Sequence, residues 1–324
     1  MISSELEKIK QFCLAQGFDL VGFCKAEIPE KDRNNLLSWV EHGFFGKMNW
    51  YTKEVSQEIR LDLKHLGFLP KSVLVLAVVY NSPAAEETIQ AQSKKVSRYA
   101  LGDDYHSVLR KKANPILKEL KSLYPSHFFR QSVDSLPVPE KVFARLAGIG
   151  WMGKNTNIIN EDLGSYFFIS TILTDCEWDV PLQEEFDRCG SCRACLDACP
   201  TGALFEPYKI NANKCISHHT IEDRNTILNE ETKLSDWIYG CDICQEVCPW
   251  NKTKARRNSV KTSVNEFLPY SFWKEEDLSG EKIYSDEEFQ SKFKGSAIKR
   301  IGSLVWNRNL KSVLGSKETN RQEI

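Results

Sequence analysis

Eight cysteines crowded between positions 189 and 248 constrain this chain more than any other feature. The first run is Cys189-Gly-Ser-Cys192-Arg-Ala-Cys195-Leu-Asp-Ala-Cys199-Pro200, a C-x2-C-x2-C-x3-C-P spacing used to hold iron–sulfur clusters. The second begins at Cys215, crosses 25 residues, and closes with Cys241-Asp-Ile-Cys244-Gln-Glu-Val-Cys248-Pro249. Three thiolates at x2 spacing wrap three irons of one cubane, while the fourth, a short helical turn further on, points to the other cluster. The spacing therefore assigns Cys189, Cys192, Cys195 and Cys248 to one 4Fe-4S cluster, and Cys199, Cys215, Cys241 and Cys244 to a second. Two four-thiolate zinc sites are the competing reading. Zinc explains neither the repeated x3-C-P ending nor the third cysteine at x2 spacing in the first run. The total of 11 cysteines is odd, and the tight spacing argues against a disulfide framework. Cys13, Cys24 and Cys176 read as ordinary buried thiols.

The rest of the chain must be able to use those electrons. Its 324 residues suggest two domains with an appendage, and 41% hydrophobic residues suffice for ordinary globular cores. The longest strongly apolar run, Val73–Tyr80, is far short of the roughly 20 residues that span a bilayer. The segment Met1–Lys8 has neither a basic n-region nor an apolar h-region, so a cytoplasmic location and no membrane partner are expected. Net charge is −1, but residues 251–324 hold 15 Lys+Arg against 10 Asp+Glu, which leaves −6 for residues 1–250. Such a tail can meet a polyanion locally, although solvated surface charge is the commoner role.

Leu6, Ile9, Phe12 and Cys13 predict a helix over 3–16 closed by Gly17, then a strand over Phe18–Cys24 and a helix over 34–42. Val73–Tyr80 predicts a strand buried on both faces. A long helix from Asp103 and Asp104 to about Tyr124 should break or kink at Pro115. Phe128–Val133 reads as a strand and 138–147 as a helix. Asn157–Ile159 and Tyr166–Leu173 read as strands joined by the turn Glu161–Gly164. This alternation predicts an α/β (α+β) N-terminal domain with a central sheet over 1–175. A bacterial two-cluster ferredoxin-like domain over 176–255 and a short helical C-terminal segment over 256–324 follow, the latter with stripes at Phe289, Phe293, Ile298, Ile301 and Val305.

An α/β part of about 175 residues is far more than an electron carrier needs, so an enzyme is favoured over a plain carrier. Gly148-Ile-Gly150-Trp-Met-Gly153 spells a dinucleotide fingerprint, but it follows a helix rather than a first strand and is rejected as one. Asp104-Tyr-His106 partly matches the D-x-H-x-x-G of enzymes that bind cobalamin through a histidine. The glycine is absent, and Asp104 reads as a helix cap.

The chain resembles the epoxyqueuosine reductases, cobalamin-dependent enzymes with two 4Fe-4S clusters that complete queuosine in tRNA. The resemblance rests on Val133-Asp134-Ser135, on Arg145-Leu-Ala-Gly148-Ile-Gly150-Trp-Met-Gly153-Lys-Asn155 and on Gly164-Ser-Tyr166. It continues through Cys189–Ala203, Cys215-Ile-Ser217, Tyr239–Asn251 and Phe293–Arg300, nearly the whole chain. It implies cobalamin held by the N-terminal and ferredoxin-like domains without an axial histidine. Reduced by the clusters, that cobalamin would deoxygenate the epoxide at the wobble position of tRNAs with GUN anticodons. Asp134 matches the family's proton donor; on the residues alone it reads as a cap or a strand end. The resemblance further places Asp134, Asn155, Ile158, Ile169, Ser217, Cys241 and Asp242 near the corrin, with Arg60 and Ser97 as further candidates. Ile158 and Ile169 read equally as core, and Lys154 as structural or as a contact to the cofactor's polar rim.

The candidates for tRNA are Lys252, Lys254, Arg256, Arg257, Lys294, Lys299 and Arg300, whose phosphate contacts would be salt-dependent. His218 and His219 follow Cys215 and either contact RNA or line the cofactor surface. An external donor of flavodoxin or ferredoxin type, or a chemical reductant, is required, and a monomer is expected. Many members of the family continue into C-terminal HEAT-like repeats; this sequence ends at Ile324, either as a natural short form or as part of a longer protein. A reductive dehalogenase, which shares the cofactor set, and a ferredoxin-type carrier are the alternative readings.

Overall fold

The apolar run at Val73–Tyr80 becomes a strand, Ser72–Val79, with no exposed position anywhere along it. Burying Leu74 and Leu76 completely contributes about 1.5–3 kcal/mol each. The computed structural model describes residues 3–180, 186–229, 231–252, 260–275 and 282–319. Its strands are β1 (Leu20–Lys25), β2 (Ser72–Val79), β3 (Lys95–Val96), β4 (Phe129–Ser132), β5 (Trp151–Met152), β6 (Ile158–Ile159), β7 (Phe167–Thr174) and β8 (Trp237–Tyr239). The helices used below are α1 (Ser4–Ala15), α2 (Glu30–Glu41), α3 (Glu54–Leu61), α4 (Pro83–Ala91), α5 (Tyr105–Leu123), α6 (Glu140–Leu146), α7 (Ala194–Asp197), α8 (Ile216–Ile221), α9 (Ile243–Glu246) and α10 (Pro249–Lys252).

The chain divides into two compact units: Met1–Phe44, Asn49–Val79 and Tyr105–Cys192, against Phe45–Met48, Tyr80–Asp104 and Arg193–Ile324. The first unit is built on one four-stranded sheet in the order β1-β2-β7-β4. Every neighbouring pair in it is antiparallel, with Ser72 opposite Thr174 and Val79 opposite Phe167. The mixed helix-and-sheet class expected from the sequence is present in its antiparallel, α+β form. α1 is capped by the Ser3 side chain and buries Leu6, Ile9 and Cys13.

One local expectation differs: α5 runs for 19 residues through Pro115 without a break. The proline is exposed while Leu109, Ala113, Ile116 and Leu120 on the other face are buried, so packing outweighs the lost hydrogen bond. β6 and β7 stand on either side of the expected turn, which an Asn160–Gly164 bridge closes, and β6 pairs with β5.

The second unit gathers residues far apart in sequence. β3 pairs in parallel with β8, and Ser97 N donates to Tyr239 O at 2.8 Å. Around that pair, Ala85, Ile89 and Leu101 share a core with Trp237, Trp273, Phe289, Phe293, Ile298 and Trp306. Residues 80–104 therefore belong with the cysteine-rich and C-terminal residues, and the C-terminal stripes are core rather than appendage. No described helix is long and apolar enough to cross a membrane.

Candidate active site

The x2 and x3 spacings fold into two one-turn helices. α7 carries Cys195 and α9 carries Cys244, and Cys199 and Cys248 follow one turn later, each ahead of a proline. Cys195, Leu196 and Leu204 pack with Cys199, Cys244 and Val247 in a small apolar cluster. Burial pushes the thiols of Cys215, Cys241 and Cys244 up, and their neighbours add to the shift: Cys199 acts on Cys215, Cys215 on Cys241, and Cys215, Cys195 and Cys199 on Cys244. Thiols whose ionised forms are disfavoured by burial and by one another's charge suit a cationic cluster that compensates that charge. At Cys199 burial acts upward too, but hydrogen bonds from Leu204, Thr201 and Ala203 outweigh it and leave the thiol more acidic. Among the described residues no three Cys, His, Asp or Glu side chains gather closely enough for a single metal ion.

The loop between Cys241 and Cys244 is anchored by a buried charge network. Asp242, 1% exposed at its side chain, accepts from Ser97 Oγ at 2.5 Å, from Arg98 N at 2.8 Å and from Arg98 Nη1 at 3.1 Å. The same guanidinium, 3% exposed, reaches Glu246 at 2.7 Å and Glu86 of α4 at 2.8 Å. Ser97 and Asp242, both expected near the corrin, are thus brought together. Gly240, at φ +67°, lies so close to Ser97 that an added Cβ would stand 2.5 Å from the Ser97 Cβ.

His218 Nε2 accepts from Lys47 N at 2.8 Å, while its Nδ1 is buried without a partner among the described residues. Burial, with His219 beside it, pulls the ring down to about 4, so it is neutral at pH 7. An orphaned imidazole nitrogen next to Ser217 fits a group rimmed with amides, such as a corrin. His219 instead bonds Asn213 O at 2.8 Å.

In the first unit, the glycines of Gly148–Gly153 are structural: a Cβ on Gly150 would run into the Ile159 carbonyl. Lys154, 9% exposed, donates its Nζ to the carbonyls of Gly190 and Cys192, the latter at 2.9 Å. It therefore ties the glycine turn to the loop bearing Cys189 and Cys192.

Asp134 follows β4 at φ +50°. It caps no helix, because the N-cap of α6 is Pro139. Its carboxylate accepts from Tyr105 Oη at 2.9 Å and lies 3.9 Å from His106 Nε2, and its side chain is 66% exposed. Tyr105 stacks on Phe168 with centroids 4.4 Å apart and planes at 6°. Asp134 N donates to both oxygens of Glu140, at 3.0 and 3.2 Å. Sequence reasoning missed Tyr105, Glu140 and Arg98; only the Asp104-Tyr-His106 string offered a signal, for the first.

The other candidates are scattered. Arg60 bonds Ser56 on its own helix α3 and sits 4.4 Å over the Tyr51 ring. Asn155 Oδ1 accepts from Asn157 N at 3.2 Å, Ile158 is buried, and Ile169 is a half-buried position on β7. Lys252, Lys294, Lys299 and Arg300 are exposed, and Arg300 makes a two-pronged bond to Glu222 at 2.8 and 2.9 Å. Lys254, Arg256 and Arg257 lie outside the described residues.

A family model described as "4Fe-4S double cluster binding domain" matches residues 188–251, and one described as "Epoxyqueuosine reductase QueG, DUF1730" matches residues 60–135. An epoxyqueuosine reductase of Leadbetterella byssophila is 37% identical over 309 residues, covering 94% of this chain and 96% of the relative. That of Escherichia coli is 37% identical over 96% of this chain and 80% of the relative. Among solved structures, an epoxyqueuosine reductase with an epoxyqueuosine-modified tRNA-Tyr stem loop superposes at TM-score 0.82, with 30% identity over 96% of this chain and 80% of that one. The Bacillus subtilis enzyme, captured with an aspartate catalytic loop swung out of the active site, gives TM-score 0.79 at 29% identity over 96% and 81%.

Proposed function

The chain belongs to the epoxyqueuosine reductase family, and from that premise we propose how its residues divide the work. The enzyme reduces epoxyqueuosine in tRNA to queuosine, using two 4Fe-4S clusters and cobalamin. The reaction consumes two electrons and two protons, removes the epoxide oxygen as water and leaves a carbon–carbon double bond. Cobalamin, held by the residues named below, would supply the two-electron reducing chemistry that the epoxide requires.

The chain's own residues position the groups and move the proton. Asp134 delivers a proton to the departing oxygen, which is a poor leaving group until protonated. The observation that carries this role is the geometry at Asp134: a carboxyl on a left-handed turn, presented to solvent and oriented by Tyr105 Oη. Cys189, Cys192, Cys195 and Cys248 hold one cluster, and Cys199, Cys215, Cys241 and Cys244 the other. The thiols of the second set act on one another and Cys195 of the first set acts on Cys244, which supports closely spaced cluster sites; the division between the two sets rests on the spacing.

Ser97, Ser217, Cys241 and Asp242 from the second unit, and Arg60, Asp134, Asn155, Ile158 and Ile169 from the first, contact cobalamin. The Ser97–Asp242 bond and the orphaned His218 Nδ1 favour the second group. Lys252, Lys294 and Lys299 meet tRNA phosphates, with Arg300 contributing what its Glu222 pair leaves. A flavodoxin- or ferredoxin-type protein feeds the clusters, and the enzyme acts as a cytoplasmic monomer.

The test of Asp134 is anaerobic turnover of epoxyqueuosine-containing tRNA by Asp134→Ala. We expect turnover to fall by about 10²-fold or more while cluster content and the cobalamin spectrum stay as in the unaltered protein. Turnover equal to that of the unaltered protein would remove Asp134 from the chemistry.

A further inference from the structure

Asp134 takes a left-handed backbone, φ +50°, that aspartate adopts more readily than most residues, and its side chain is mostly in solvent, so its orientation depends on what holds the turn. We propose that Glu140 is a positioning residue for the reduction, its carboxyl acting as the clamp that fixes the Asp134 turn and so sets where the Asp134 carboxyl points. This rests on the reading of Asp134 as proton donor.

The geometry is specific. Asp134 N donates to Glu140 Oε1 at 3.0 Å and Oε2 at 3.2 Å, and Ser132 Oγ donates to Oε1 at 2.7 Å. Ser132 Oγ also accepts from Leu136 N at 3.3 Å, closing a ring of bonds across residues 132–136. Ser132 is fully buried, and its carbonyl accepts from Ser170 Oγ of β7 at 3.2 Å. The turn is thereby referred to the central sheet. The adjacent Lys141 donates to Thr156 O at 2.9 Å and to Asn157 Oδ1 at 3.3 Å. Two consecutive residues of α6 thus hold the Asp134 turn and the turn after Gly153.

Burial, and then the charge of Asp134, push the Glu140 carboxyl up to about 8, against the hydrogen bonds from Ser132 and Asp134 that pull it down. At neutral pH Glu140 is therefore mostly a neutral acid, whose isostere is glutamine. A misplacement of about 1 Å at a reacting group can cost about 10²-fold in rate, which sets the scale of a lost clamp.

The experiment compares Glu140→Ala, Glu140→Gln and Asp134→Asn in the cluster- and cobalamin-loaded enzyme at pH 7, reading kcat, KM for tRNA, iron content and the cobalamin spectrum. We expect Glu140→Ala to lower kcat by about 10- to 100-fold with KM, iron and spectrum unchanged. Glu140→Gln should recover most of that loss. A kcat within twofold of the unaltered enzyme in Glu140→Ala, with Asp134→Asn inactive, overturns the clamp and leaves the proton donor standing. Full activity in Asp134→Asn overturns the reading beneath it. A loss that glutamine does not recover, or one that appears in KM, assigns Glu140 to packing and overturns the proposal. If Glu140→Ala loses its cofactors, Ser132→Ala decides: a lower kcat at constant KM supports the clamp, and an unchanged kcat overturns it.

Discussion

Replacing Arg98 by methionine removes one guanidinium from three carboxylates, and the structure says which of the three suffers. Glu86 and Glu246, 30% and 28% exposed at their side chains, can turn to water, so their pairs are worth about 1 kcal/mol or less each. Asp242, 1% exposed, cannot. Removing one partner of a buried pair costs about 3–5 kcal/mol. The Ser97 Oγ and Arg98 N bonds to Asp242 remain, which places the loss at the lower end of that range, about 3 kcal/mol. For a unit of this size each kcal/mol moves the melting midpoint by about 2–4 °C, so Arg98→Met should melt about 6–12 °C lower. The assay is thermal unfolding of the cluster-loaded protein with iron content followed in parallel. The double variant Arg98→Met/Asp242→Asn should recover more than half of the loss, because the stranded charge is gone. A single variant that melts within about 2 °C of the unaltered protein, or a double variant no better than the single, refutes the reasoning.

Three further outcomes follow from particular contacts. Cys244→Ala should hold roughly half the iron of the unaltered protein, since only one cluster loses a ligand; full iron on elemental analysis would remove Cys244 from the ligand set. Lys154→Met frees the carbonyls of Gly190 and Cys192, so iron should be lost faster in air, by severalfold in a timed chelator assay. Glu140 binds its proton more tightly folded than unfolded, so its stabilising contribution is complete below about pH 4.5 and lost as pH rises through about 8. Glu140→Gln lacks that loss; its melting midpoint should gain on the unaltered protein between pH 6 and pH 9, and parallel curves would contradict the burial of this carboxyl.

What could be read from the sequence was local. Ligand spacing fixes thiolates over a few residues, so the two cysteine runs are visible without any tertiary information. An unbroken apolar run rich in valine reads as a strand covered on both sides, and β2 is one. Phe289 and Phe293 share a helical face and are both fully buried.

Long-range pairing leaves no such trace. β3 is two residues long and finds β8 more than a hundred positions later, which is why residues 80–104 look like part of the first domain. Nothing in Val96-Ser-Arg-Tyr-Ala100 marks Arg98 as buried, yet three carboxylates from α4, the Asp242 loop and α9 close over it. Glu140 reads as an ordinary first-turn acid of α6; only its distances to Asp134 N reveal another use. Lys154 lies beside a fingerprint-like glycine string and reads from the sequence as structural or as a contact to the cofactor's rim. Its Nζ is spent on backbone carbonyls.

This chain removes the epoxide oxygen of a tRNA nucleoside by a cobalamin-dependent reduction. The most direct measurement is mass spectrometry of nucleosides digested from tRNA blocked before the last queuosine step. That tRNA is first incubated anaerobically with the cluster-loaded protein and a strong reductant, with and without cobalamin. Epoxyqueuosine should lose the mass of one oxygen only when cobalamin is present. Unchanged epoxyqueuosine in both samples, or conversion without cobalamin, would contradict it.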